Sequence, residues 1–256
     1  MLIPDWPAPA GVHAMCSTRT GGVSAAPFDS LNLGDHVGDD PAHVAANRAI
    51  FQEVIGAKPV FLNQVHGSQV VTLDASTPDG TVADGCLSDR PGLACTVMVA
   101  DCLPVLFASA DGRRVAAAHA GWRGLAGQGG VGILETTVER VRTKNRQVNA
   151  GQTVEIIAWL GPCIGPTAFE VGEEVHAAFT ASDPLAGDCF TPLVAGKWLA
   201  DLAELARLRL HALGISQIYG NDSSAAWCTV GNASRFFSYR RDRVTGRFCA
   251  SIWREG

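Results

Sequence analysis

Between residues 93 and 119 the chain reads LACTVMV, PVLFA and RVAAAH, three short apolar runs rich in Val, Leu and Ala and bounded by Gly, Pro, Asp or Ser. Runs of this kind between turn formers are strands of a buried sheet. VFLNQV (60–65) and QVVTL (69–73) precede them, VEIIAWL (154–160) and ISQIY (215–219) follow, and GVHAMCSTR opens the series near the N-terminus. Helical signals interrupt them. Asp40 followed by Pro41 is an N-cap with proline in the first turn, Val44, Phe51, Val54 and Ile55 form a stripe, and Gly56 closes it. Asn47 and Arg48 then fall in mid-helix. Val131, Leu134, Val138 and Val141 recur at helical spacing, EVGEEVHAAF (170–179) reads as a helix, and WLADLAELARLRLHALG (198–214) is the clearest one, ended by Gly214. Strands and helices mix without strict alternation. The expected class is therefore α+β: a single layered domain over residues 1–256, with mixed β-sheets flanked by helices.

Composition narrows the function classes. Net charge is −5 and the basic residues are scattered apart from Arg240, Arg241 and Arg243, so no broad phosphate-tracking surface for nucleic acid is visible. Arg240 and Arg241 read equally as a charged strand edge. No window approaches the roughly 18 uninterrupted apolar residues of a membrane span. MLIPDWPAPAG has an acid and three prolines where a signal peptide would carry a basic end and an apolar run, so a cytoplasmic location is expected. The eight cysteines show no CxxC pair and are expected to be reduced thiols.

Three strand ends carry chemistry: NQVHG (63–67), ADCLP (100–104) and AHAGWRG (118–124). Side chains at such ends are held by the sheet yet reach a cleft. His66, Cys102 and His119 could converge there, as a zinc site with imidazole and thiolate ligands or as a Cys nucleophile with a His base. Their spacing follows no local metal-binding pattern. Arginine is the natural phosphate clamp because its planar fork donates two parallel hydrogen bonds, and Arg48 and Arg123 are the candidates. Arg123 lies four residues beyond His119, on a turn flanked by Gly121 and Gly124. Trp122 suits either core filling or stacking on a flat ligand.

From STRTGGVS and SLNLGDHVGDDP through NQVHG, ADG, ADCLP, AHAGWRG, GPCIGP and FEVG to CT and FFSYRRDRVTGR, nearly the whole chain resembles the bacterial laccase-domain proteins described as purine nucleoside phosphorylases. That resemblance implies a cysteine-hydrolase-like fold, zinc held by His66, Cys102 and His119 as metal ligands and catalytic residues, and purine nucleosides and phosphate as partners. It further implies phosphorolysis of adenosine, inosine, guanosine and methylthioadenosine, with adenosine deamination alongside. Two imidazoles and one thiolate leave a tetrahedral zinc one open position, the arrangement of a catalytic site. Other readings are a zinc amidohydrolase editing peptidoglycan precursors, a copper polyphenol oxidase, and a non-catalytic zinc-binding module. An N/S site also accepts copper in vitro. A multi-copper enzyme needs many His ligands, whereas this chain has seven histidines; His13, His36, His43, His176 and His211 show no HxH pairing.

Overall fold

The computed structural model describes residues 1–143, 154–194 and 196–256. In chain order its elements are β1 (Val12–Cys16), α1 (Pro41–Ile55), β2 (Lys58–Phe61), β3 (Val70–Thr72), β4 (Gly85–Ser88), β5 (Leu93–Val99), β6 (Leu103–Ser109) and β7 (Val115–Ala120). There follow α2 (Trp122–Ala126), α3 (Ile133–Thr143), β8 (Ile156–Leu160), β9 (Glu170–Gly172), α4 (Glu173–Thr180), β10 (Phe190–Pro192) and β11 (Lys197–Ala200). The chain ends with α5 (Leu202–Ala212), β12 (Ile218–Gly220), α6 (Tyr239–Asp242) and β13 (Phe248–Arg254). The expected mixture of mixed sheets and flanking helices is what forms: a six-stranded sheet ordered β12-β8-β6-β7-β4-β3, a four-stranded sheet ordered β1-β13-β5-β2, and a small β10-β11-β9 sheet.

The apolar runs lack alternation because the central strands are buried on both faces, which demands apolar side chains at every position. On β6 and β7, Leu103, Val105, Phe107, Ala116 and Ala118 pack toward Leu134 and Val138 of α3, Phe179 of α4 and Leu205 and Leu210 of α5. Their alternate neighbours Leu106 and Ala117, with Trp159 of β8, face Cys95, Val97, Phe248 and Ile252 of the second sheet. The far side of that second sheet places Ala94, Met98, Cys249 and Trp253 against Phe51 and Ile55 of α1. The layers thus run helices, sheet, sheet, helix. Burying one such Leu, Phe or Ile side chain contributes roughly 1.5–3 kcal/mol.

Helix α1 starts and stops as its sequence dictates. Asp40 accepts the Ala42 N–H at 2.8 Å and Gly56, at φ 66°, returns its N–H to the Gln52 carbonyl. Its buried stripe is Val44, Asn47, Phe51 and Ile55, while Val54 is exposed. The polar member has a purpose. Asn47 accepts the Val23 N–H at 2.8 Å and donates to Ser24 Oγ and to the carbonyls of Ser30 and Asn32, fixing the long 20–40 loop against the helix.

Elsewhere the structure redraws boundaries. The helix expected from Trp198 begins at Leu202, because Asp201 caps it by accepting the Glu204 N–H at 3.0 Å, and Lys197–Ala200 pairs as a strand with β9 and β10. Glu170–Gly172 is likewise a strand, with α4 starting only at Glu173. Arg240 and Arg241 lie on the short helix α6 and not on a strand edge. All eight cysteines are free thiols. Among the described residues no helix is long and apolar enough to cross a membrane.

Candidate metal centre

Strand register brings the three loaded ends together. In the β6/β7 pair, Leu103 faces Ala120 and Pro104 faces His119, so Cys102 leaves the sheet beside the end of β7. In the β4/β7 pair, Gly85 faces Ala118, so Asp84 arrives opposite His119, whose N–H donates to the Asp84 carbonyl at 2.7 Å. Strand β3 runs parallel to β4 with Val70 opposite Gly85, which lays the preceding NQVHG turn over the same spot. His66, Cys102 and His119 converge as the sequence suggested, with their ligand atoms all within 4.8 Å of one another.

Asp84 organises the group. Its carboxylate, fully buried, accepts from His119 Nδ1 at 2.8 Å and from the backbone N–H groups of Val65 (3.2 Å), His66 (2.8 Å) and Gly67 (2.7 Å). One carboxylate therefore orients the His119 ring and shapes the turn that carries His66. That turn holds His66 at φ 61°, a left-handed conformation that is costly for a side chain with a Cβ and persists where surrounding bonds enforce it. Because Nδ1 is engaged, His119 presents Nε2 to the cluster. Cys102 Sγ lies 3.7 Å from His66 Nε2, and the two imidazoles meet edge to face at 4.8 Å between centroids. Gly121 is required here for space and not for conformational freedom, its φ of −69° being ordinary: a Cβ would stand 2.7 Å from the His66 ring and 3.0 Å from Cys102 Sγ.

The electrostatics favour an ionised cluster. Burial pushes the Cys102 thiol up, but the charge and hydrogen bond of His119, with help from His66, more than reverse this and bring it down to about 6. Burial pushes the His119 imidazole down, and the Cys102 thiolate and Asp84 together raise it to about 9. For Asp84, burial acts upward and the His119 ring and the Gly67 and Val65 N–H groups prevail, leaving it below the ordinary carboxylate range. The donor set fits a zinc-like ion. Tetrahedral sites with metal–nitrogen and metal–sulfur distances near 2.0–2.3 Å need ligand atoms about 3.5 Å apart, and a buried carboxylate behind the ligating imidazole is the usual support. Among the described residues no fourth His, Cys, Asp or Glu joins the group, so one position stays open to a ligand.

The cluster forms part of the wall of a cavity of about 330 Å³. Met98, Val99, Ile164, Phe169 and Leu202 supply apolar surface, Trp122 lines it while packing on the core, and Gln64, Asp101, His36, Tyr239, Arg240 and Arg247 supply polar groups. Gln64 is fixed by two bonds to the backbone of Met98, at 2.7 and 2.8 Å. Asp101, at φ 103°, accepts the Thr229 hydroxyl and the Arg240 N–H, both at 2.6 Å, tying the start of α6 to the residue before Cys102.

Arg48 and Arg123 are not among the lining residues. Arg48 stacks on Phe61, donates to the Leu33 carbonyl and pairs with Asp35 (3.2 Å) and Asp79 (3.6 Å). Arg123, exposed in the first turn of α2, lies over the Trp122 ring at 4.3 Å. The chain after His119 is thus a short helix and not a loose turn. Sequence reasoning gave no place in the site to Asp84, which supports the cluster, or to Arg240 and Arg247, which line the cavity. The signal for Asp84 was an acid directly before the strand GCLS in the ADG block; for Arg240 and Arg247 it was the FFSYRRDRVTGR block that holds both.

Residues 13–255 match the family described as multi-copper polyphenol oxidoreductase laccase. The chain is 49% identical to the Pseudomonas aeruginosa protein named purine nucleoside phosphorylase PA4543, over 98% of this chain and 97% of that protein. It is 48% identical to purine nucleoside phosphorylase YfiH of Escherichia coli, over 99% and 98% of the two chains. Among solved structures, Neisseria meningitidis protein NMB0706 superposes with a TM-score of 0.89 at 45% identity, covering 100% of this chain and 99% of that one. YlmD from Geobacillus stearothermophilus gives a TM-score of 0.85 at 33% identity, with 98% and 94% covered.

Proposed function

The chain belongs to the multi-copper polyphenol oxidoreductase laccase family, and from that premise we propose that it is a zinc-dependent purine nucleoside phosphorylase, acting on adenosine, inosine, guanosine and methylthioadenosine, with adenosine deamination as a second activity. Relatives at 44–49% identity carry the phosphorylase name. The observation that carries the reading is the pairing of an open three-ligand cluster with a small, mainly apolar cavity. At about 330 Å³ the cavity stands at the low end of the range for ligand pockets, a size that suits a nucleoside and disfavours an extended cell-wall glycopeptide. The single three-ligand cluster among the described residues argues against a multi-copper oxidase, and its open position argues against a purely structural ion.

His66, Cys102 and His119 would hold the zinc, which when bound supplies a Lewis acid able to polarise a substrate oxygen or lower the pKa of water. The chain's own residues do the remainder. Asp84 keeps the His119 proton on Nδ1 and so leaves Nε2 free to ligate. Met98, Ile164, Phe169 and Leu202 offer a dry wall to a flat purine, and its exclusion of water favours transfer of the ribosyl group to phosphate over hydrolysis. Asp101 holds the α6 end of the cavity in place through the Arg240 N–H.

The deciding experiment incubates the purified protein with each nucleoside, with and without phosphate, and assays free base and ribose 1-phosphate. Phosphate-dependent release of base together with ribose 1-phosphate is the expected result. Base release indifferent to phosphate, or none, would reject the reading.

A further inference from the structure

One stretch of the cavity wall is basic. Arg240, Arg247 and His36 line it, and the one carboxylate in the lining, Asp101, is already occupied by a hydroxyl and a backbone N–H. Arg247 differs from the other arginines of this region. Arg48 is paired with two carboxylates and Arg241 with Asp242, whereas no carboxylate lies within ion-pair distance of Arg247 among the described residues. Its Nη1 donates to the carbonyls of Thr245 and Gly246, both at 3.1 Å, and its backbone is clamped to Asn32 and Leu33. One guanidinium nitrogen is thereby fixed, and the Nε and Nη2 edge has no protein partner among the described residues. Arg240 is tethered alike, by Nη1 to the Glu170 carbonyl at 3.0 Å, with Phe169 beneath its guanidinium. The charges of Cys102 and Asp101 act on Arg247 but burial outweighs them, and a half-buried cation with no carboxylate at ion-pair distance is stabilised when a ligand supplies an anion.

We infer that Arg247, with Arg240 and His36 beside it, is the oxyanion subsite of this cavity and receives inorganic phosphate and the phosphate group of the sugar 1-phosphate product. Burial and then the charge of the neighbouring Arg247 push the His36 imidazole below its ordinary value, so this wall resists a further cation. An anion placed there would relieve that repulsion. The inference rests on the phosphorolysis reading. In that reaction an oxygen of dihydrogen phosphate bonds to C1′ as the C1′–N9 bond breaks, the bonding pair passes to N9, and the phosphate proton ends on the base. Phosphate must be held by donors that do not take its nucleophilic oxygen, and the Nε/Nη2 edge of a tethered guanidinium binds two oxygens side by side.

The test titrates inorganic phosphate into the metal-loaded wild-type, Arg247→Gln and Arg247→Lys proteins by calorimetry, alongside KM values for phosphate and for nucleoside. Arg247→Gln is expected to weaken phosphate binding and raise its KM about tenfold to a hundredfold, with metal content intact and the nucleoside KM within about threefold. Arg247→Lys should recover only part, since an ammonium lacks the fork. Phosphate affinity equal to wild type in Arg247→Gln overturns the inference, as does a wild-type protein that binds no phosphate. Should Arg247→Gln fail to fold, Arg247→Lys decides: several-fold weakening supports the subsite and unchanged affinity rejects it. Arg247-dependent phosphate binding without base release would sink phosphorolysis and leave the subsite standing, while phosphorolysis with an unaltered phosphate KM in the folded variants would do the reverse.

Discussion

At the metal cluster a buried carboxylate, Asp84, bonds one ligand ring and three consecutive backbone N–H groups around the other ligand; on the basic wall of the cavity the guanidinium groups of Arg247 and Arg240 donate to carbonyls of residues 245, 246 and 170. The first group is over-determined and the second is half-made. A metal tolerates little error in ligand position, so its ligands come from strand ends locked by register and by one shared acceptor. A phosphate that enters and leaves in each turnover needs donors aimed but uncommitted. The two groups should therefore respond differently to substitution.

The largest effect is expected at the ligands. Cys102→Ala should abolish stoichiometric metal binding and lower turnover by more than about a hundredfold, beyond the 10–100-fold that loss of a ligand's supporting partner costs. Metal analysis and assay of the same sample check it; full metal content in Cys102→Ala would remove the centre from this place. Next comes Asp84→Asn, expected to weaken metal affinity about 10–100-fold. The amide cannot accept from all four donors, and its NH₂ would face an N–H. This variant should leave the affinity for inorganic phosphate nearly unchanged, and an equal loss at both would show that the two groups are not separately built.

How much of this was legible in the sequence differs between the two groups for a physical reason. Val115 to Ala120 and Leu103 to Ser109 announce themselves because strands buried on both faces must be apolar throughout, and their ends then point to His119 and Cys102. The assignment of a metal to those residues came from resemblance, since 66, 102 and 119 share no local period. Asp84 was hidden because its importance lies in long-range bonds to residues 65–67 and 119. The strand FCASIWR went unread although it forms the centre of the second sheet between β1 and β5. The start of α5 was recoverable: Asp201 and Glu204 stand at the spacing of a helix cap. Arg48 looked like a free mid-helix cation, and only the packed loop reveals Asp35 and Asp79 beside it.

A smaller, pH-dependent contrast follows from the charged cluster. In metal-free protein Cys102 is a thiolate above about pH 6 and a thiol below it, held down chiefly by His119, which stays protonated up to about pH 9. The rate of Cys102 alkylation should therefore rise with a midpoint near pH 6. In His119→Ala the counter-charge is gone and burial prevails, so the midpoint should move up by more than a pH unit. Metal must displace the His119 proton below about pH 9 and also the Cys102 proton below about pH 6, so affinity should fall as pH falls and fall more steeply under pH 6. An alkylation midpoint in the range of a free cysteine, near 8.5, would contradict the ion pair.

The smallest effect is expected at Arg123. Its position beside the AHAG turn suggested a phosphate clamp, and a clamp would lose about tenfold to a hundredfold on conversion to alanine. In the structure the side chain is exposed and lies over the Trp122 ring at 4.3 Å, where a cation–π contact contributes about 0.5–1 kcal/mol. Trp122 lines the cavity and Arg123 does not. Arg123→Ala should therefore change the KM for phosphate by less than about threefold, and any loss should appear instead in the nucleoside KM, through the freer Trp122 ring. Measuring both constants in Arg123→Ala and Arg247→Gln side by side separates the two arginines: a tenfold rise in phosphate KM confined to Arg123→Ala would move the anion to the α2 rim next to His119 and leave Arg247 with no ligand.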